Sequence, residues 1–368
     1  MPNEAEVTDA LRGVVDPELH RSLIDLDTVR FKIDGSTVDV EVGLVSDEYP
    51  EASERELHGL IVDALSAVPG VREVNLVFTD IGEDAAGELM KRLHPGGVPF
   101  AEGNPHTRVV LVASGKGGVG KSSITVNLGV ALAQRGRRVA IVDADVYGFS
   151  IPAMLGIDEP PIVVGERVVL PPRAHGVRLA SIGFFVPEDQ PVIWRGPMLH
   201  KALEQFLTDF YWGDPDFLVV DMPPGTGDIS LSLAQFLPGA EAYVVTTPQP
   251  AAQRVAQRAG LMFQNNNIKI PVHGVIENMS WFTGDDGKRY ELFGAGGGEL
   301  LAEKLEVPLM GSVPFVPDLR EGGDIGTPIT VSEPESEAAQ AFASIAQYID
   351  EHPPTRRRSS KLKVNEFG

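Results

Sequence analysis

Along the first ninety positions helical spacing is interspersed with short stretches of period-two alternation, and beyond them continuous apolar runs take over. Val7 to Val14 opens on helical spacing. Thr28 to Ile33 and Val38 to Val42 each alternate with a period of two, and Asp34-Gly35 lies between them, which predicts a hairpin. From Glu54 to Val68 the apolar residues Leu57, Leu60, Ile61, Ala64, Leu65 and Val68 share one helical face, ended by Pro69-Gly70. Val74 to Phe78 reads as a further strand. The first segment is thus a small α+β unit spanning residues 4–94.

Residues 95–107 hold Pro95-Gly96-Gly97, Pro99 and Gly103-Asn104-Pro105, the composition of a linker. After it the pattern changes. Val109–Ala113, Val139–Val142, Phe217–Val220 and Ala242–Val245 are unbroken apolar runs, Val272–Ile276 is a further strand-like run, and helical patterns such as Ser122–Arg135, Leu199–Phe210 and Pro250–Gln264 separate them. Strands buried on both faces and alternating with helices predict an α/β fold over 108–350, with a mainly parallel sheet. Ligands of such sheets sit beyond the carboxyl ends of the strands. No internal repeat is visible.

The segment between the first run and the first helix is Gly115-Lys116-Gly117-Gly118-Val119-Gly120-Lys121-Ser122, which fits G-x-x-x-x-G-K-[ST]. Its glycines let backbone N–H groups approach phosphates closely, and the following helix directs its positive end at them. Lys121 then neutralises terminal phosphate charge, and the Ser122 hydroxyl is placed to ligate Mg²⁺. The expectation is a P-loop NTPase that binds a nucleoside triphosphate.

Two further strands end in acids at the same edge. Val139–Val142 runs into Asp143-Ala144-Asp145, and Phe217–Val220 runs into Asp221-Met222-Pro223-Pro224-Gly225-Thr226-Gly227-Asp228. Asp221, closing an apolar strand, has the position of a residue that holds magnesium directly or through water. Either Asp143 or Asp145 could orient a water for attack on the terminal phosphate. Lys116 is a second lysine inside the loop, placed to reach across a two-fold interface to a partner's nucleotide.

Charge narrows the partners. The 368 residues carry 31 Lys and Arg against 52 Asp and Glu, a formal charge of -21. Such a surface repels nucleic acid and anionic lipid unless a local basic patch intervenes. One basic cluster exists, Arg356-Arg357-Arg358 with Lys361 and Lys363, in residues 351–368. It is expected to be a solvated, disordered tail, with docking to an acidic partner as the sharper alternative. No apolar stretch approaches the roughly 20 residues that span a bilayer. The acidic N-terminus lacks a signal-peptide layout, so the expected location is the cytoplasm. Cysteine is absent, which excludes disulfides, thiolate catalysis and thiolate-ligated metal sites built from this chain alone.

Lys116-Gly117-Gly118-Val119-Gly120-Lys121-Ser122 is similar to the deviant Walker A motif of the ParA/MinD ATPases. Together with Asp143-Ala144-Asp145-Val146-Tyr147-Gly148, Asp221 to Asp228 and Gly274-Val275-Ile276-Glu277-Asn278-Met279-Ser280, it resembles the Mrp/ApbC branch, the iron–sulfur cluster carriers. The likeness covers about Thr107 to Tyr348. The first segment, with Asp16-Pro17-Glu18 and Pro69-Gly70-Val71, resembles the small SufT-like domain often fused ahead of that ATPase.

The resemblance implies that Gly115, Lys116, Gly117, Gly118, Val119, Gly120, Lys121 and Ser122 bind ATP, with Lys116 acting in trans. It implies that Asp145 positions the hydrolytic water, that Ser122 and Asp221 serve Mg²⁺, and that Asn278 contacts adenine. It further implies a slow ATPase working as a homodimer, with assembly factors or client apoproteins as partners and no nucleic acid or membrane.

One feature of the family pattern is missing. In most of this branch a Cys-x-x-Cys pair follows the Asn-Met-Ser segment, and the cysteines of two subunits hold a bridging cluster. Here that stretch is Trp281 to Phe293, with Gly284-Asp285-Asp286-Gly287 at its centre, and Val45 to Pro50 likewise lacks a cysteine that relatives tend to have. The turn residues and flanking aromatics predict a metal-free hairpin stapled by aromatic burial. Hard carboxylates such as Asp285 and Asp286 suit Mg²⁺ or Ca²⁺ better than a sulfide cluster. Gly294 to Gly298 reads as a flexible helix entry rather than a dinucleotide fingerprint. Two other functions stay open: a nucleotide-switched adaptor that binds no cluster, and a ParA/MinD-like positioning ATPase, which would need a basic surface.

Overall fold

The computed structural model describes residues 2–96, 100, 106–146, 148–165, 167–185, 196–225, 227–265, 268 and 270–353. Most of the expected linker, the expected basic tail beyond 353, Tyr147 and Thr226 lie outside these residues.

The first segment folds around a three-stranded sheet. Val29–Asp34 pairs antiparallel with Thr37–Leu44, which pairs parallel with Glu73–Asp80. In the central strand Val38, Val40, Val42 and Leu44 point inward, so the alternation in the sequence becomes one buried face. The parallel pair needs a crossover, supplied by helix Glu51–Ser66, which buries Leu57, Ile61 and Leu65. That helix starts three residues before its expected start, directly after Pro50. The first helix runs Glu4–Arg12, earlier than its apolar spacing indicates. Its start is set by a capping box in which the Asn3 side chain accepts from Glu6 N and the Glu6 carboxylate accepts from Asn3 N.

The main sheet has eight strands. Their order is Leu309–Val313, Val272–Asn278, Glu241–Thr246, Arg108–Ser114, Phe217–Asp221, Val139–Asp143, Val177–Ser181 and Arg173–Ala174. All neighbours are parallel except the last pair. Alternate residues feed separate cores on the two faces: Leu111, Ala113, Leu218 and Val220 on one, Val110, Val112, Ile141 and Val219 on the other. This double burial is why the strands read as unbroken apolar runs. Helix Lys121–Gln134 is enclosed almost all round, by the sheet and by helix Glu337–Glu351. At Gly129 a Cβ would lie 2.8 Å from Ile141 Cδ1, so the helix packs on the sheet at glycine distance.

The strand Val177–Ser181 escapes the apolar-run criterion because Arg178 interrupts it, and Arg178 is also what joins the two halves of the chain. Its guanidinium is buried and donates to the carbonyls of Pro17, Glu18 and Tyr211. Tyr211 Oη donates to Leu19 O at 2.7 Å, and Arg173 donates to Glu18 Oε1 at 2.9 Å. Val164 and Leu170, from the hairpin Ile162–Val164/Val168–Leu170, enter the first segment's core. The receiving loop is an Asx-turn in which Asp16 Oδ1 accepts from Glu18 N, Leu19 N and Tyr49 Oη. Burial raises the Asp16 pKa. Desolvation and three nearby arginines lower that of His20 to about 3, leaving its imidazole neutral in the seam.

Helix Glu337–Glu351 extends to residue 351, so the helix includes the first position assigned to the tail by composition. The helix at Gly297–Leu305 is present, but its glycines serve close packing rather than flexibility. A Cβ on Gly297 would lie 2.4 Å from Pro248 O, and Glu277 Oε2 accepts from Gly298 N at 2.5 Å. Among the described residues no helix is long and apolar enough to cross a membrane.

Candidate functional site

Three strand ends and one helix start meet at a single place. Arg108–Ser114 turns at Gly115, whose Cβ, if present, would lie 2.2 Å from the Val255 backbone. Only glycine fits there, and it holds the loop against helix Pro250–Gln264. Around Gly117 and Gly118 an added Cβ would meet nothing within 4 Å, so these positions face open space. Gly120 has φ +80° at the N-cap of helix Lys121–Gln134, and Ile124 N bonds back to its carbonyl. The loop therefore presents its backbone at a helix N-terminus toward accessible volume, the arrangement that receives phosphate.

Lys121 Nζ lies 2.7 Å from Asp221 Oδ2 and 3.4 Å from Asp145 Oδ2. The side chain is buried, the two carboxylates balance its charge, and Nζ makes no aligned hydrogen bond among the described residues. A terminal phosphate would supply an aligned acceptor.

Asp221 is fully buried and held from both sides. Ser122 Oγ donates to Oδ2 at 2.7 Å, and Thr125 Oγ1 donates to Oδ1 at 2.7 Å. Asp143 is its register partner on the adjacent strand. Asp143 Oδ2 accepts from Ser181 Oγ at 3.0 Å and Oδ1 accepts from Asp145 N at 3.2 Å. Burial, then the charge on Asp221, pushes the Asp143 carboxyl up to about 8. Two carboxylates so close and so dry do not both ionise readily, which adds to the upward push on Asp143.

Asn278 sits beneath the loop. Its Nδ2 donates to Val119 O at 2.9 Å and occupies the place of a Gly120 Cβ, 2.1 Å away. Among the described residues its Oδ1 is buried without a partner, as is Thr247 Oγ1 just beyond the neighbouring strand's end. Lys116 stands at the loop's outer side, half-buried, and its ammonium makes no hydrogen bond or ion pair among the described residues.

Thus the structure brings together Gly115 to Ser122, Asp145, Asp221 and Asn278. Thr125, Ser181 and Thr247 were not singled out from sequence. Thr125 does carry a signal there, as a lone buried hydroxyl one helical turn beyond Lys121 in an apolar helix.

The hairpin replacing the cysteine pair forms, with Phe282 opposite Tyr290 and Thr283 opposite Arg289. Its fastening corrects the expectation of aromatic burial. Tyr290 and Leu292 are about half exposed, and the hairpin is instead anchored on Glu337. That carboxylate accepts from Trp281 Nε1, Thr283 Oγ1 and the Arg289 guanidinium, which also stacks over the Trp281 ring at 4.2 Å. Asp286 caps the turn, accepting from Lys288 N and Tyr290 Oη.

The family model described as NUBPL iron-transfer P-loop NTPase matches residues 106–350, two thirds of the chain. The chain belongs to the iron–sulfur cluster carrier family. A second model, described as iron-sulfur cluster assembly protein, matches residues 4–76. An iron-sulfur cluster carrier protein of Mycobacterium tuberculosis is 44% identical over 366 residues, covering 96% of this chain and 94% of that protein. One from Synechocystis is 43% identical over 354 residues, covering 93% and 96%. Among solved structures, a nucleotide-binding protein of Archaeoglobus fulgidus in complex with ADP is 32% identical with a TM-score of 0.55. It aligns over 65% of this chain and 93% of its own. This member of the carrier family is a P-loop NTPase, and it has no cysteine of its own with which to ligate a cluster.

Proposed function

We propose that the chain is an ATP-hydrolysing switch of the iron–sulfur carrier family that works as a homodimer in the cytoplasm, with cluster ligands coming from an assembly factor or client apoprotein. The observation that carries the nucleotide reading is Lys121 Nζ, buried and without an aligned acceptor at the mouth of an open glycine loop. Gly115 to Ser122 wrap the phosphates of ATP. Ser122 and Asp221 hold Mg²⁺, which supplies charge neutralisation on the phosphate oxygens. Asp145, beside Lys121, positions the attacking water, and Lys116 reaches the partner's nucleotide across the two-fold axis. Asn278, whose Oδ1 has no hydrogen-bond partner among the described residues, contacts adenine. Turnover is slow because the assembly has to wait for dimer and client.

The test is nucleotide affinity and turnover in two variants. Lys121→Ala weakens ATP binding by about 100-fold, the scale of a lost charge-assisted contact of about 3 kcal/mol. Lys116→Ala retains binding and loses turnover. Equal ATP affinity in Lys121→Ala and the parent would overturn the phosphate assignment.

A further inference from the structure

Strand Glu73–Asp80 is the last strand of the three-stranded sheet, paired on one side only, with Thr37–Leu44. Glu73 N and Ile81 N bond to Ser36 O and Leu44 O. By the alternation of a strand's backbone, the N–H and C=O groups of Val74, Leu76 and Phe78 then point to the other side. No other strand among the described residues takes them up.

Natural edge strands are blunted by charge, proline or a bulge. The opposite edge, Val29–Asp34, carries Arg30, Lys32 and Asp34. Glu73–Asp80 lacks such protection: six uncharged residues, Val74 to Thr79, lie between its terminal acids, and its register runs unbroken over eight pairs. Val77 is 58% exposed. Beside the edge lies a groove of about 560 Å³, lined by Glu54, Arg55 and His58 of helix Glu51–Ser66 and by Leu76, Val77 and Phe78. The side-chain bonds of the strand stay inside the first segment, with Asn75 donating to Asp39 at 2.8 Å and Thr79 to Glu41 at 3.3 Å. The seam with the main sheet uses Glu18, Ser53 and Glu56 instead, so it leaves this edge free.

We infer that this edge is an interface with a second copy of the chain, the two strands joining antiparallel about a two-fold axis at Leu76. Opposed residues of antiparallel strands share a face, so odd positions have to meet odd and even positions even. The register centred on Leu76 sets Val74 against Phe78 and Asn75 against Val77, and it brings Arg72 opposite Asp80 at both ends. Moving the axis to Asn75 would oppose Glu73 to Val77, and moving it to Val77 would oppose Val74 to Asp80. Arg72 is exposed and makes no ion pair among the described residues, and Asp80 commits one oxygen, to Gly82 N. Charge complementarity therefore selects a second copy and fixes its register. The contact makes one six-stranded sheet and is independent of the nucleotide sites.

The test uses the full chain without nucleotide or Mg²⁺, and the lack of native cysteine keeps it clean. Chains carrying Asn75→Cys and Val77→Cys, one of them tagged, are mixed in equal amounts and oxidised mildly. Both positions are exposed, and they fall in a non-hydrogen-bonded pair with Cα atoms about 4.5 Å apart, within disulfide reach. The mixed disulfide forms about tenfold faster than either self-disulfide. In sedimentation, Arg72→Glu and Asp80→Lys each weaken pairing about tenfold, and mixing the two variants restores it, because opposite charges then meet at both ends. A statistical distribution of disulfides, or a preference for either self-disulfide, would overturn the inference. So would sedimentation that neither charge variant alters.

Discussion

Thr125 Oγ1 donates to Asp221 Oδ1 at 2.7 Å, one helical turn beyond the phosphate-loop lysine, and both groups are fully buried. The same single proton is shared with Lys121 O at 3.1 Å, so the hydroxyl ties the carboxylate to the helix that starts at the loop. Thr125→Val keeps the shape and removes the donor. The unsatisfied carboxylate costs about 1–3 kcal/mol. Calorimetry is expected to show a fall of about 2–4 °C in Tm per kcal/mol, and titration a weaker affinity for MgATP. Thr125→Ser should restore both; an unaltered Thr125→Val would refute the tie.

The Asp143 proton gives the empty protein a pH signature. Its carboxyl titrates near 8 when folded, against 3.8 in the unfolded chain, so the folded state holds a proton over the interval between. The stabilising contribution is complete below about 4 and is lost as pH rises toward 8. Asp143→Asn keeps the neutral form at every pH. In nucleotide-free, Mg²⁺-free buffer, the stability of the variant relative to the parent should rise with pH, by up to about 1.4 kcal/mol per unit. Denaturant melts at pH 5, 6.5 and 8 measure it, and parallel curves would mean that Asp143 is ionised.

Glu337 is the anchor of the hairpin at 282–290. Glu337→Ala releases three donors at once and should expose the 284–287 turn to limited proteolysis while leaving Tm nearly unchanged, because the anchor is solvent-facing. Trp281→Ala should loosen the same turn, through loss of the Arg289 stack. Tyr290→Phe removes only the bond to Asp286 and should have little effect. If cleavage is the same in all three variants, the polar anchor is not what holds the hairpin.

Arg178 is a buried charged link between the halves. Arg178→Met preserves length and apolar packing but leaves three carbonyls without a donor. Hydrogen exchange should accelerate selectively at residues 16–21, with nucleotide affinity conserved. Exchange unchanged in that loop would place the joint elsewhere.

Iron and acid-labile sulfide retained after anaerobic reconstitution and desalting, with and without MgATP, report on the cargo. The lone chain should retain near-background amounts, since it has no thiolate to offer. Mixing with a client apoprotein before desalting should raise retention. Stoichiometric retention by the chain alone would demand non-cysteine ligation and would reverse the reading of the hairpin.

Local rules carried much of this protein's description. Strands buried on both faces have to be apolar throughout, so Val109–Ala113 and Phe217–Val220 were legible. A loop that receives phosphate needs glycine, lysine and a hydroxyl at fixed offsets, so Gly115 to Ser122 stood out. The absence of cysteine was equally plain. What lay beyond sequence depends on contacts between residues far apart in the chain, which no local period encodes. Thr125 reaches Asp221 only because the helix packs across the strand that ends in that acid, and Ser181 reaches Asp143 only through strand register. Arg178 disguised its strand because its charge is satisfied by carbonyls some 160 residues earlier in the chain. The hairpin, whose aromatics implied a buried staple, is fastened by a carboxylate about fifty residues on. Burial and partner choice are properties of the assembled surface, and the tertiary structure alone decides them.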